Sequence, residues 1–118
     1  MVLALVVALA PAAWAEPGVE LRLALSEVLK PGDGLPSVRF VGVTEDSRCP
    51  AHAVCVWQGR ADVVIDVEGA GRVELSTEER GRWWDAGRWM VQLESLRPLP
   101  DPSGPPPDYV LTIRIATR

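Results

Sequence analysis

Residues 55–67 read CVWQGRADVVIDV, and they carry the clearest period-two alternation in the chain. Small, aliphatic or aromatic residues occupy every second position, and the positions between them are mostly polar or charged, which is typical of a strand with one buried face. The alternation predicts one long central strand that starts at Cys55 and ends near Val67. It also predicts that Trp57 lies in the core.

The rest of the chain continues the same period. Gly69, Ala70 and Gly71 form a short turn into residues 72–77, which predicts a hairpin. Further strands are expected at residues 19–25, 37–44, 89–93 and 109–116, whereas the prolines of residues 98–107 remove backbone donors and predict a loop. Short strands without an amphipathic helix indicate an all-β protein. We expect an antiparallel two-sheet sandwich, immunoglobulin-like, with a small β-barrel as the alternative.

The N-terminus has the features of an export signal. Residues 2–10 are an unbroken apolar run, a proline follows, and small residues surround Ala15. We therefore predict a signal peptide at residues 1–15, cleaved between Ala15 and Glu16, and a single domain at residues 16–118. An uncleaved anchor is the alternative, but the run is shorter than the ~20 residues of a membrane span. The mature protein is expected to be periplasmic or secreted, with no membrane span.

The chain has two cysteines, Cys49 and Cys55, at a separation that a disulfide can bridge. In an exported protein this predicts a structural disulfide, which should stabilise the fold by about 2.4 kcal/mol on the chain-entropy model. The alternative is a metal site, because the only histidine, His52, lies midway between them. Two thiolates, the imidazole and Asp46 could hold Cu(I) or Zn(II). We favour the disulfide and predict no metal and no cofactor.

The residues around these cysteines form a recognisable pair of motifs. Asp46 to Pro50 reads DSRCP, and residues 55–61 follow C-x-W-x-G-x-A. The pair resembles a motif of small exported or lipid-anchored bacterial proteins of unknown function, which implies export and a β-fold and adds no catalytic residue. The anchor cysteine of the lipid-anchored members is missing, so the resemblance implies a free periplasmic or secreted protein. Within the motif, Asp46 is suited to start a turn and Arg48 to pair with Glu45 or Asp46.

Aromatic and basic residues are densest at residues 80–89, which makes this segment a candidate ligand surface. Its members are Arg82, Trp83, Trp84, Arg88 and Trp89. The alternative is structural, with one or two tryptophans closing the open end of the sandwich and the arginines pairing with nearby carboxylates. Because neighbouring side chains of an extended segment point to opposite sides, Trp83 or Trp84 is predicted at the surface.

The charge balance and the missing motifs limit the functional classes. Sixteen acidic and twelve basic residues leave a net charge of −4, which argues against nucleic acid as the partner. The sequence has no Gly-x-Ser-x-Gly elbow, phosphate-binding glycine loop or His-Glu-x-x-His, so we predict no catalytic residue and no enzyme. We expect a non-catalytic binding or structural module of the cell envelope, whose partner is an envelope protein, a peptide or a glycan. A metal-handling protein and an inhibitor of a secreted protease are the other hypotheses.

Overall fold

The computed structural model describes residues 18–32, 34–50, 53–101 and 103–117. The predicted signal peptide, its cleavage point and His52 lie outside these residues. The described residues form eight strands and one short 3-10 helix at Glu79–Gly81. The strands are β1 (Val19–Ala24), β2 (Val28–Leu29), β3 (Val38–Asp46), β4 (Ala61–Val67), β5 (Gly71–Ser76), β6 (Trp83–Asp85), β7 (Trp89–Arg97) and β8 (Val110–Thr117).

The strands make two four-stranded sheets in which every neighbouring pair is antiparallel. The first sheet has the order β1-β8-β7-β6 and the second has the order β2-β3-β4-β5. The predicted all-β, two-sheet sandwich is confirmed, and the sheets do not close into a barrel. Immunoglobulin domains interleave early and late strands within each sheet. Here consecutive strands lie side by side within each sheet, except that β1 pairs with β8. The protein therefore resembles immunoglobulin domains in its sandwich architecture but not in its strand order.

The core lies between the sheets and is built from alternate residues of each long strand. In β4, Ala61, Val63, Ile65 and Val67 are all at most 1% exposed, as the alternation predicts. The predicted β4–β5 hairpin is also present, with the Ala70 N–H donating to the Val67 carbonyl at 2.9 Å. The other buried apolar residues are Leu21, Leu23, Leu35, Val38, Phe40, Val73, Leu75, Val91, Leu93, Leu96, Tyr109, Leu111, Ile113 and Ile115. Each buried aliphatic side chain of this kind stabilises the fold by about 1.5–3 kcal/mol.

The central strand is shorter than the alternation predicts, and the placement of Trp57 in the core is wrong. β4 begins at Ala61, residues 55–60 form a loop, and Trp57 is 56% exposed. The reason is Gly59, whose φ of 68° lies in the left-handed region and turns the chain out of the strand direction. The period-two pattern of residue types continues through residues 55–60, although these residues do not form a strand.

The two ends of the sandwich carry different connections. At one end, which we call the hairpin end, lie the β4–β5 and β6–β7 hairpins, and there β1 starts at Val19 beside Ile115 of β8. At the opposite end, the loop end, lie the connection between Asp46 and Ala61 and the proline-rich connection after Arg97. No helix in the described part of the chain is long and apolar enough to cross a membrane.

Candidate functional site

A charged hydrogen-bond network joins the two sheets at the loop end. The Arg48 guanidinium donates to both carboxylate oxygens of Asp46, from Nε to Oδ1 and from Nη2 to Oδ2, each at 2.7 Å. It also donates to the carbonyls of Leu96 at 2.6 Å and Pro98 at 3.1 Å. Leu96 belongs to the part of β7 that extends past its pairing with β6. The predicted pairing of Arg48 with Asp46 is present, and Arg48 also ties β3 to the first sheet.

Tyr109 completes this network from the residue before β8. Its hydroxyl donates to Asp46 Oδ2 at 2.6 Å. Burial, together with the hydrogen bond to Asp46 and the negative charge there, raises the pKa of Tyr109 to about 12. Burial alone would raise the pKa of Asp46 as well, but the hydrogen bonds from Arg48 and Tyr109 and the charge of Arg48 outweigh it and hold that pKa below its ordinary value. Asp46 is therefore held as a carboxylate between two donors.

The loop that follows is held by contacts between its two flanks. We call residues 47–50 and 53–60 the disulfide loop. The Ser47 N–H donates to the Arg60 carbonyl at 2.8 Å, and the Arg60 N–H donates to Ser47 Oγ at 3.1 Å. Trp57 Nε1 donates to the Ser47 carbonyl at 3.1 Å. A Cβ at Gly59 would overlap that same carbonyl, so the flanks approach as closely as only glycine permits.

The predicted disulfide between Cys49 and Cys55 is confirmed, with a Cα–Cα distance of 5.9 Å. Both Sγ atoms are bonded to each other, so neither is a thiolate that could ligate a metal. The metal hypothesis therefore requires the reduced loop. Among the described residues, no three His, Cys, Asp or Glu side chains are grouped as a metal site. The DSRCP and C-x-W-x-G-x-A residues thus form one structural unit at the loop end.

This unit presents apolar side chains to solvent. Val54 and Val56 are fully exposed and Trp57 is 56% exposed, and we call these three residues the apolar tip. Three further large apolar residues of the described chain are exposed: Leu25 and Val28 beside the connection between β1 and β2, and Trp83 on β6. Single exposed apolar residues are ordinary on protein surfaces, but three within four consecutive residues of one loop make a candidate interaction site.

A polar groove of about 530 Å³ lies beside the disulfide loop. It is lined by Ser47, Gln58, Gly59, Arg60, Glu78, Glu79 and Arg80. Arg60 bonds Asp62 at 3.1 Å and Glu45 at 3.3 Å, so its charge is internally paired. Gln58, which lines the groove, directly follows Trp57, so polar groups adjoin the apolar tip on this side, as in the polar rim of a protein–protein interface.

The structure separates the aromatic and basic residues of the predicted ligand surface. Trp84 and Trp89 pack against the core, and Trp89 lies 3.8 Å from the position of a Cβ at Gly69 in the β4–β5 hairpin. Arg82 is half-buried and donates from Nη2 to the Thr77 carbonyl at 2.7 Å, while its Nε is buried without a hydrogen-bond partner. Trp83 is 49% exposed, as predicted for one of the neighbouring tryptophans. Two of the three tryptophans therefore pack against the core.

Arg88 is also separated from Trp83. It lies exposed in the turn of the β6–β7 hairpin, beside Gly87 and Trp89. The side chain of Trp83 instead belongs to the outer face of the first sheet, because its neighbour Trp84 packs inward. The predicted cluster does not form one continuous surface.

The proline-rich connection forms an open groove of about 900 Å³ between Arg97 and Asp108. Asp101 inside it accepts hydrogen bonds from the Ser103 N–H at 2.9 Å and the Ser103 hydroxyl at 2.7 Å, which hold the pKa of Asp101 below its ordinary value. Its polar contacts therefore serve the turn of the loop itself, and we assign no ligand to the groove.

No protein-family model, curated protein or solved structure matches this chain. Sequence reasoning found the cysteines, Asp46 and Arg48, but it missed two features. Tyr109 lies 63 positions from its partner Asp46, and nothing local indicates that contact. The exposure of Trp57 was missed because the alternation continues through Gly59, although a glycine at that point is a recognised sign of a break in a strand.

Proposed function

We propose that this chain is an exported, non-catalytic binding module of the cell envelope that docks to a partner protein through its disulfide loop. The observation that carries the proposal is the apolar tip, where Val54 and Val56 are fully exposed and Trp57 is half-exposed on one short loop. The sequence hypothesis placed the binding surface at residues 82–89 instead. The tip is the better candidate because two tryptophans of that other cluster pack against the core.

The contacts at the flanks of the loop support docking. A loop that is constrained before it binds loses less conformational entropy on binding, and this raises affinity. Here the disulfide, the Ser47–Arg60 hydrogen bonds and the Arg48 contacts to Leu96 hold both flanks of the loop. Tryptophan is among the residues most enriched where binding energy is concentrated. A partner that buried both valines would gain about 1.5–3 kcal/mol from each.

The compartment in the proposal follows from two independent features. A disulfide persists in oxidising compartments such as the periplasm or the extracellular space. The apolar run at residues 2–10 is the sequence feature of an export signal. Together they support a periplasmic or secreted location, in which an exposed loop can meet other envelope proteins.

The test is site-specific photo-crosslinking in intact cells of the source organism. A photo-reactive amino acid is placed at Val56 in the apolar tip and, as a matched control, at Val28, which is 55% exposed on β2. We expect one discrete cross-linked species from Val56 that is absent from Val28. Its yield should fall at least about tenfold when Trp57→Ala is added, since this replacement removes the largest side chain of the tip.

A second pair of variants measures the same interaction without the cross-linker. Val54→Asp introduces a charge into the tip, and Val28→Asp introduces the same charge into an exposed strand. Co-purification of the cross-linked partner should be lost in the first variant and kept in the second, with melting temperatures unchanged in both. Equal cross-linking from Val56 and Val28, or a partner that survives Val54→Asp, would refute docking through the tip.

A further inference from the structure

The second exposed tryptophan, Trp83, begins a row of side chains on the outer face of the first sheet. In the strand register, Trp83 pairs with Gln92 of β7, Gln92 pairs with Arg114 of β8, and Arg114 pairs with Glu20 of β1. The strand neighbours of Gln92 and Arg114, such as Val91 and Ile115, are fully buried, and Trp84, beside Trp83, packs against the core. Because side chains alternate between the faces of a strand, the four residues share the outer face. We call them the outer row.

The outer row crosses the whole sheet. It covers three inter-strand steps of ~4.8 Å each, and therefore extends about 14 Å. It begins with an aromatic ring and continues with an amide, a guanidinium and a carboxylate. The three polar groups are planar, and together they offer both hydrogen-bond donors and acceptors.

The single cation of the outer row is paired with two carboxylates. Arg114 Nε donates to Glu94 Oε2 at 3.0 Å, and Arg114 Nη2 lies 3.7 Å from Glu20 Oε1. Glu94 is the additional residue at the irregularity between Leu93 and Ser95 in the β7–β8 register. A guanidinium held between two carboxylates is oriented by them, and it offers no excess positive charge to an anion.

We propose that the outer row is a binding site for a neutral linear glycan, laid across the strands with one sugar ring on Trp83. A sugar presents a face of C–H groups, which suits the negative face of an aromatic ring. Its hydroxyls each donate and accept hydrogen bonds, which suits the Gln92 amide and the Arg114–Glu94 pair. The pairing of Arg114 with two carboxylates disfavours an anionic ligand. Trp83 is the only large exposed apolar side chain of the outer row, so the row lacks the apolar centre of a protein–protein interface.

This site is independent of the docking proposal. The apolar tip belongs to the loop end, on the connection between β3 and β4 of the second sheet, whereas the outer row lies on the first sheet. A module with both surfaces would hold an envelope glycan on one face and a protein at one end. Each surface has its own exposed tryptophan, which supplies a matched pair of variants.

The test is isothermal titration calorimetry with two neutral β-1,4-linked hexasaccharides, cellohexaose and the hexamer of N-acetylglucosamine. We expect at least one of them to bind with a dissociation constant of about 1 mM or tighter, as suits a small ligand on an open surface. Trp83→Ala and Gln92→Ala should each weaken binding about tenfold or more. Trp57→Ala removes the other exposed tryptophan and should leave the affinity unchanged.

Nuclear magnetic resonance localises the binding. The indole N–H signal of Trp83, assigned by its loss in Trp83→Ala, should shift on addition of the bound hexasaccharide, and that of Trp57 should not. Thermal unfolding verifies that each variant is folded. The proposal is overturned if neither hexasaccharide binds the wild-type protein at about 10 mM, or if Trp57→Ala weakens binding as much as Trp83→Ala. Either result leaves docking through the tip standing, because that is measured with Val56 and Val54.

Discussion

Replacing Arg48 by methionine should destabilise the fold by about 3–5 kcal/mol, because it leaves a largely covered carboxylate without its cationic partner. Methionine keeps much of the length of the side chain but none of its donors. The side chains of Arg48 and Asp46 are 12% and 8% exposed, so water reaches the lost contacts only over a small part of their surface. The variant also removes the donors to the carbonyls of Leu96 and Pro98.

The size of the effect follows from the position of the network. A domain of this length is typically stable by about 5–15 kcal/mol, so the loss is a large share of the total. At about 4–8 °C per kcal/mol, the melting temperature should fall by about 12–40 °C. Tyr109→Phe removes one hydrogen bond to a charged acceptor and should cost about 1.5–3 kcal/mol. The two replacements share Asp46, so their effects should not add.

The assay is equilibrium unfolding in urea under non-reducing conditions, followed by tryptophan fluorescence and extrapolated linearly to water. Lys30→Met is the control, because the Lys30–Glu68 pair is 3.7 Å long and its side chains are 69% and 58% exposed. Exposed pairs of this kind contribute about 0–1 kcal/mol. If Arg48→Met lowers the free energy of unfolding no more than Lys30→Met does, the network contributes no more than a surface ion pair and the reasoning fails.

Three further predictions concern the same end of the fold. Tyr109 is the only tyrosine, so the phenolate absorbance of the folded protein should titrate near its raised pKa of about 12 instead of the ordinary ~10. The stability that Tyr109 contributes is complete below pH ~10 and is lost as the pH rises towards 12. A titration midpoint near 10 in the folded protein would contradict the buried hydrogen bond. Gly59→Ala should lower the free energy of unfolding by more than about 2 kcal/mol. Gly71→Ala, at a similar φ of 87° but with open space around it, should lower it by about 1 kcal/mol. Equal losses for the two variants in urea unfolding would show that backbone conformation alone matters. Serine at both Cys49 and Cys55 should lower the free energy of unfolding by about 2.4 kcal/mol, and no loss would mean that the hydrogen bonds of the flanks close the loop unaided.

The parts of the fold that follow from local rules could be predicted from the sequence. The alternation of Val63, Ile65 and Val67 identifies the buried face of β4, and the glycines after it identify the hairpin. The disulfide follows because the chain has two cysteines, six positions apart, so each has one possible partner within the chain. In each case the deciding residues are close in sequence, so their geometry depends little on the rest of the molecule.

The candidate site could not be predicted in the same way. Alternation reports residue types and not backbone direction, so it assigned Trp57 to a strand that Gly59 ends. The contact between Asp46 and Tyr109 joins the end of β3 to the start of β8, and only the packing of the two sheets brings them together. The same packing decides that Trp84 is covered while Trp83 is exposed. These outcomes depend on tertiary structure, so no short segment of the sequence is enough to predict them.

The pairing of β1 with β8 places the first and the last described strands side by side. Val19 and Thr117 both lie at the hairpin end, and the nine residues of β3 lead from there to the disulfide loop. At about 3.3 Å per residue, that strand places the loop roughly 30 Å from the plane in which the described part of the chain begins and ends. A lipid, a fusion partner or a sensor surface attached at the hairpin end would leave the apolar tip on the side away from the attachment point. The outer row would cross the face of the first sheet between the two ends.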